Sequence, residues 1–361
     1  MHHFRTEVVR LICFPSTELK DPFHQYILPT AHASTLVQTA VEAVAAAHQH
    51  ALGVGSLSNA AAFHNRALRT LAQTLSQTDR IGHVTDQALG ASLLLVYYEI
   101  VLGGSATVAQ CHLRGAKTLV EVRRASSNTD PTAFRFLLKT CQYFDIMVAL
   151  SLRERPLGFL VDADDLAPGV DGTFGLLGTL WPLMQTLAEV LATADSSVEK
   201  FDVVSELIRQ LKSWSPEAAR PLLNERDADH QTMLQIAKAY KYCSLLTLLK
   251  HTSQSAKAHQ VNGDNDDVFE SAIAATYREV LDSLLRACVL SGPMSTLVWP
   301  LYTVGMSAES VADKTITQHI FAKLNERQHM KVVECASETV ERAWKRIEMD
   351  QWTGPTDILL C

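Results

Sequence analysis

The amino-acid sequence predicts an all-α protein, and three observations carry that prediction. Apolar residues recur at spacings of three and four through most of the chain. Alternating β-branched runs bounded by turns are almost absent. Small polar residues and prolines fall where helices begin, and glycines fall where they stop. Together they imply one large multi-helix domain of about 12 or more helices over residues 1–361.

In chain order, the first clear helix is the Ala- and Val-rich stretch from Ser34 to His50. A second, Ala60 to Leu75, follows Asn59, and a third, Gln87 to Leu102, starts after Thr85 and stops at Gly103-Gly104. Asp130-Pro131 and Ser215-Pro216-Glu217 open helices near 131–151 and after 216, because proline at the first helical position gives up only an N–H that has no partner there. The Gly-, Pro- and Asp-rich segment 153–178 reads as a long loop. The polar stretch 253–267 reads as a flexible insertion. Helices resume from Val268 to Leu290, and Ile316 to Glu348 forms two more, with Val332, Val333, Ala336, Val340, Ala343 and Ile347 on one face. Trp181-Pro182-Leu183 and Trp299-Pro300-Leu301 read as tryptophans packed at helix starts, since their flanks differ too much for an internal repeat.

Composition excludes several classes of function. With 47% apolar and 20% charged residues the chain has the apolar content of a folded core, not of a disordered segment. Lys and Arg number 32 against 39 Asp and Glu, a formal charge of −7, and Arg123-Arg124 lies in no longer basic run. Such a balance does not neutralise a phosphate backbone, so no direct nucleic-acid binding is expected. The longest nearly apolar stretch, Ala88 to Tyr98, is about half a membrane span and runs into Glu99, and the N-terminus lacks a secretory signal pattern. A cytoplasmic or nuclear protein, with no membrane partner, is the expectation. The seven cysteines are scattered at gaps of 26 to 102 residues with no Cys-x-x-Cys, which suits free thiols in a reducing compartment.

The motifs of common cofactors are missing. Gly53-Val-Gly55 continues without the third glycine of a dinucleotide fingerprint, and neither a phosphate-binding loop nor a Gly-x-Ser-x-Gly elbow occurs. No cofactor is therefore expected. Fourteen histidines include no His-Glu-x-x-His, and His48 and His50 lie about 200° apart on a helix, so no metal site is predicted.

One stretch is more specific: Leu93-Leu-Leu-Val-Tyr-Tyr-Glu-Ile-Val-Leu-Gly-Gly followed by Ala109-Gln-Cys-His-Leu-Arg-Gly-Ala-Lys-Thr-Leu-Val. It resembles the regulatory domain of fungal zinc-cluster transcription factors, in which "L-x-x-Y-E" precedes "H-x-x-G-A-x-x-L"; the matching residues are Leu95, Tyr98, Glu99, His112, Gly115, Ala116 and Leu119. Further landmarks follow in order: Phe23 to Ala47, Tyr143-Phe-Asp-Ile, Arg155-Pro156, Thr296-Leu-Val-Trp-Pro-Leu-Tyr-Thr-Val-Gly and Trp344. The resemblance implies an all-α domain that senses small molecules or holds regulatory contacts. DNA-binding members carry six closely spaced cysteines at the N-terminus, whereas the first 110 residues here contain only Cys13.

Two functions fit a domain of this kind without its DNA-reading module. One is a cofactor-independent cyclase or pericyclase of hetero-Diels–Alder type, acting on a polyketide or terpenoid intermediate of fungal specialised metabolism in an internal pocket. The other is a non-DNA-binding regulator that binds an effector or dimerises; homodimerisation stays open. His112 and Tyr98 are the catalytic candidates, an acid-base group and a hydroxyl. Trp299, Tyr302, Met306, Trp181 and Lys117 are the substrate-binding candidates, although Tyr302 suits a core edge equally and the core reading is the favoured one for Trp299, Met306 and Trp181. Two ion pairs are also expected: Glu99 with Arg114 or Lys117, and Asp145 with Arg153 should Asp145 be buried. His112 is otherwise read as a hydrogen-bonded strut, and Gly115 and Ala116 as close-packing positions.

Overall fold

A computed structural model describes residues 1–14, 21–76, 81–125, 131–161, 170–193, 198–216, 228–258, 266–290, 297–348 and 357–360. Two π-helical turns, Phe4–Val8 and Phe23–Ile27, lead into α1 (Val9–Ile12) and α2 (Leu28–Ala33). Then come α3 (Thr35–Ala51), α4 (Leu57–Ser76), α5 (Ile81–Leu102), α6 (Ala106–Arg124) and α7 (Pro131–Leu152). Non-helical residues 153–161 and 170–177 of the expected long loop, whose residues 162–169 lie outside the described set, and a short 3-10 turn, Gly178–Leu180, precede α8 (Trp181–Ala192), α9 (Val198–Ser213), α10 (Ala228–Ala258) and α11 (Asp266–Val289). The described chain closes with α12 (Val298–Gly305), α13 (Val311–Gln328) and α14 (Lys331–Glu348). Among the described residues there is no strand, and the one extended pairing is an isolated bridge between Asp171 and Gly175.

Two helices organise the packing. From Ala88 to Val101, α5 is apolar on nearly every side, and a helix without a polar face must be surrounded. It packs against α3, α4, α6, α7 and α14. Its end follows from two glycines: Gly103 adopts φ +68°, its N–H meets the Ile100 carbonyl, and the Gly104 N–H meets the Glu99 carbonyl at 2.7 Å. This Schellman arrangement closes the last carbonyls and turns the chain toward α6, where the Ser105 hydroxyl caps the Thr107 N–H. In the C-terminal half α10 plays the same central part among α8, α9, α11 and α12.

A chain of rings joins the two halves. Tyr97 meets Phe144, Tyr143 meets Trp181 at 5.1 Å, Trp181 meets Tyr240 at 5.8 Å, and Tyr240 meets Trp299 at 5.5 Å. Most of these contacts are edge-on, the geometry aromatic quadrupoles favour. Buried apolar side chains from Phe4 to Leu360 form one contiguous cluster.

The structure departs from the sequence reading at several points. Residues 253–258 continue α10 and 266–267 begin α11, because those helices pack along each other and that packing outweighs polar composition; residues 259–265 lie outside the described set. Thr85 is no cap: α5 begins at Ile81, and Thr85 is buried within it. The helix expected after 216 falls on residues 217–227, also outside the described set. Ala116 is buried as expected, but Gly115 is exposed, and a Cβ placed there would meet nothing within 4 Å. Close approach therefore does not explain that glycine.

Asp145 is buried, with 3% of its surface exposed, and Arg153 is not its partner. Its carboxylate accepts the N–H groups of Leu157 at 2.7 Å and Gly158 at 2.8 Å. Backbone donors of the loop after α7 thus balance the charge, since a buried carboxylate needs hydrogen bonds more than any one cation. Burial raises its pKa, and these hydrogen bonds together with the Lys117 charge oppose the rise.

Candidate functional site

A cleft of about 490 Å³ opens where the end of α7 faces α10 and α12. Two helix faces build it by their period. On α10, Thr247, Lys250, His251 and Gln254 stand at i, i+3, i+4 and i+7; on α12 and its C-cap, Trp299, Tyr302, Thr303 and Met306 repeat that spacing. Arg153 enters from the end of α7, in a left-handed conformation with φ +57°. Leu150, Leu191 and Leu360 give apolar wall, and among the described residues no Asp or Glu lines the space.

One polar chain of this cleft is held in place. The Lys250 Nζ donates to the Ser307 hydroxyl at 2.8 Å, and that hydroxyl donates to the Thr303 carbonyl at 2.7 Å. Desolvation lowers the Lys250 pKa from its ordinary value, partly countered by Glu309. A cation in such surroundings gains from an anionic partner, because little water is left to screen the attraction. Trp299 closes the inner wall, its ring against Tyr240.

Trp299, Tyr302 and Met306 therefore stand together in one cleft, while Trp181 and Lys117 do not line it. Trp181 is 2% exposed and packs within the ring chain. Lys117 reaches the Gly158 carbonyl at 2.5 Å and lies 5.4 Å from the centre of the Phe159 ring. It ties α6 to the loop after α7. Arg153, Lys250, His251 and Thr247 were not among the sequence candidates for binding; only the approach of α7, α10 and α12 reveals them.

The two catalytic candidates meet elsewhere, at the junction of α4, α5 and α6. The Tyr98 ring stacks on His64 with centres 4.2 Å apart and planes 14° apart. His112 stands edge-on to His64 at 6.4 Å. The Glu99 Oε1 lies 3.9 Å from the His64 Nε2. Glu99 is thus beside a histidine and makes no ion pair with Arg114 or Lys117. Arg114 instead donates to Gln110 one turn back, at 2.8 Å, a geometry set by the i, i+4 register of α6.

Burial decides the charge states of this cluster. It lowers the His64 pKa, and burial followed by the His64 charge pushes His112 down to about 4. Burial also raises Glu99, and burial followed by the Glu99 charge raises Tyr98. Near neutral pH His112 is therefore the free base, a lone-pair donor and not a general acid. Among the described residues neither His64 nor His112 has a hydrogen-bond partner for its buried Nε2, so the strut expected of His112 is not formed through that atom. His64 escaped sequence reasoning because it lies 35 residues from Glu99 and 48 from His112, in no ligand motif.

Among the described residues no helix is long and apolar enough to cross a membrane. A family model described as the fungal specific transcription factor domain matches residues 1–356. No curated protein and no solved structure matches the chain.

Proposed function

Because the chain belongs to the fungal specific transcription factor domain family, we propose that it is an effector-binding, transcription-factor-like regulator whose cleft between α7, α10 and α12 takes a small aromatic acid. The observation that carries this reading is the lining of the cleft: Trp299, Tyr302 and Met306 on one wall, Lys250 and Arg153 beside them, and no acidic side chain among the described residues. Flat apolar surface rewards a ring system, and the two cations reward a carboxylate or similar anion. A volume of about 490 Å³ suits a ligand of drug-like size.

The cyclase or pericyclase reading uses the same cleft, with the Tyr302 hydroxyl and Lys250 as donors to developing charge. It no longer uses His112 and Tyr98 on the bound molecule, because neither lines the cleft. Effector binding is the stronger reading, since it asks only for affinity.

The test is equilibrium binding of 2-naphthoate and its neutral methyl ester to the full chain, by calorimetry. The acid should bind more tightly than the ester, Trp299→Ala should weaken both, Lys250→Met should reduce the preference, and Lys250→Met combined with Arg153→Met should erase it. Equal affinity of acid and ester, or undiminished binding by Trp299→Ala, overturns the proposal. Incubating the protein with polyene or polyketide acids beside a boiled control separates the two readings: new products require the cyclase.

A further inference from the structure

We propose that His64, Glu99 and His112 form a site for one divalent transition metal of the zinc class, with a coordination position left open. The residues come from α4, α5 and α6, and each offers one ligand atom, all within 4.8 Å of one another. Around a tetrahedral ion with bonds near 2.0–2.1 Å, neighbouring ligand atoms sit roughly 3.4 Å apart. The His64 Nε2 to Glu99 Oε1 separation of 3.9 Å is already close to that, so small side-chain rotations complete the site.

Three further observations favour a ligand at this point over a merely packed cluster. The Nε2 atoms of His64 and His112 are sealed from solvent and lack hydrogen-bond partners among the described residues. Leaving one such atom unsatisfied costs about 1–3 kcal/mol, and native folds rarely leave two together. A metal satisfies both lone pairs at once. Next, the ligands are braced: the His64 ring lies flat on Tyr98. Finally, the Glu99 carboxylate occupies space that a side chain at position 104 would take, because a Cβ on Gly104 would lie 2.0 Å from the Glu99 Oε2. The glycine that ends α5 thereby also admits the carboxylate to the cluster.

Two imidazoles and one carboxylate suit zinc, cobalt or iron(II) more than calcium or magnesium, which favour all-oxygen shells. Three protein ligands leave a fourth position for water or for a donor atom of a bound molecule.

The experiment is a Co²⁺ titration of the full chain after dialysis against a chelator, followed by visible absorption. One Co²⁺ per chain should give the intense bands of a four-coordinate ion, and one equivalent of Zn²⁺ should remove them. His112→Ala and His64→Ala should abolish the bands, and Gly104→Ala, which removes no ligand, should weaken affinity about 10- to 100-fold as loss of an outer support does. His2→Gln and Cys111→Ser, at exposed positions, should leave them intact. If a histidine variant fails to fold, Glu99→Gln decides: Zn²⁺ should raise the melting midpoint of the unaltered protein and not of this variant. Absence of the bands in the unaltered protein, their persistence in His112→Ala, or an equal Zn²⁺ response in Glu99→Gln overturns the site.

Discussion

Adding one methyl group at Gly305 should strain the contact that holds the aromatic wall of the cleft in place. Gly305 ends α12, and its carbonyl accepts the Trp344 indole N–H at 2.8 Å across to α14. A Cβ there would stand 2.8 Å and 3.0 Å from the two Val340 methyl carbons and 3.2 Å from the Thr317 methyl. Val340 and Thr317 are both fully buried, so neither can swing into solvent. Overpacking of this kind costs roughly 1–3 kcal/mol, and the better helix propensity of alanine offsets less than about 1 kcal/mol at a helix end. Gly305→Ala should therefore lose about 1–2 kcal/mol in urea unfolding followed by circular dichroism and tryptophan fluorescence together. Val340→Ala alone should also destabilise, by about 1–3 kcal/mol through the cavity it leaves. In the double variant the new methyl fills part of that cavity, so the combined loss should fall short of the sum by about 1 kcal/mol or more. Additive losses would show that α12 and α14 do not meet at this point, and the placement of Trp299 and Tyr302 would fall with the contact.

Gly115→Ala should act in the opposite direction, raising stability by about 0.5–1 kcal/mol in the same unfolding assay, because the position is exposed, helical and free of neighbours within 4 Å; a loss there would mean that the glycine serves a contact this structure lacks. Asp145→Asn should destabilise by about 2–4 kcal/mol, since an amide can accept from only one of the Leu157 and Gly158 N–H groups and turns its own NH₂ toward the other; proteolysis between residues 153 and 161 should quicken in step, and an unchanged cleavage rate would contradict the anchoring role. Acid should unfold the metal-free protein early. His3, His48, His64 and His112 all have folded pKa values below their ordinary 6.5, so the stability they contribute is whole above 6.5 and drains away as the pH falls toward the value of about 4 held by His112. His112 alone accounts for up to roughly 3 kcal/mol of that loss. The raised carboxylates Glu99 and Asp145 return part of it at the acid end. A melting midpoint that stays level between pH 7 and 5 would refute this balance.

Much of the fold was legible because helix periods and stop signals are local. The Gly103-Gly104 end of α5, the proline start at Pro131 and the apolar face of α14 were each readable within one or two turns of chain. The misreadings share another cause. The polar end of α10 stays helical through its packing on α11, and Asp145 finds backbone donors 12 and 13 residues away, neither of which a local pattern records. The site divided along the same line. Trp299, Tyr302 and Met306 could be named as binding candidates from their side-chain chemistry, whereas Lys250 and Arg153 joined them only when α7, α10 and α12 closed on one another. His112 and Glu99 were visible in their motif, yet what surrounds them depends on His64, brought over by α4.

The cleft is most directly tested by locating a bound acid within it. A crystal structure of the full chain soaked with 2-naphthoate should show the rings against Trp299 and Tyr302 and the carboxylate within hydrogen-bond distance of the Lys250 Nζ. Density for the acid at another surface, with the cleft between α10 and α12 left to solvent at saturating concentration, would contradict the assignment of the effector site.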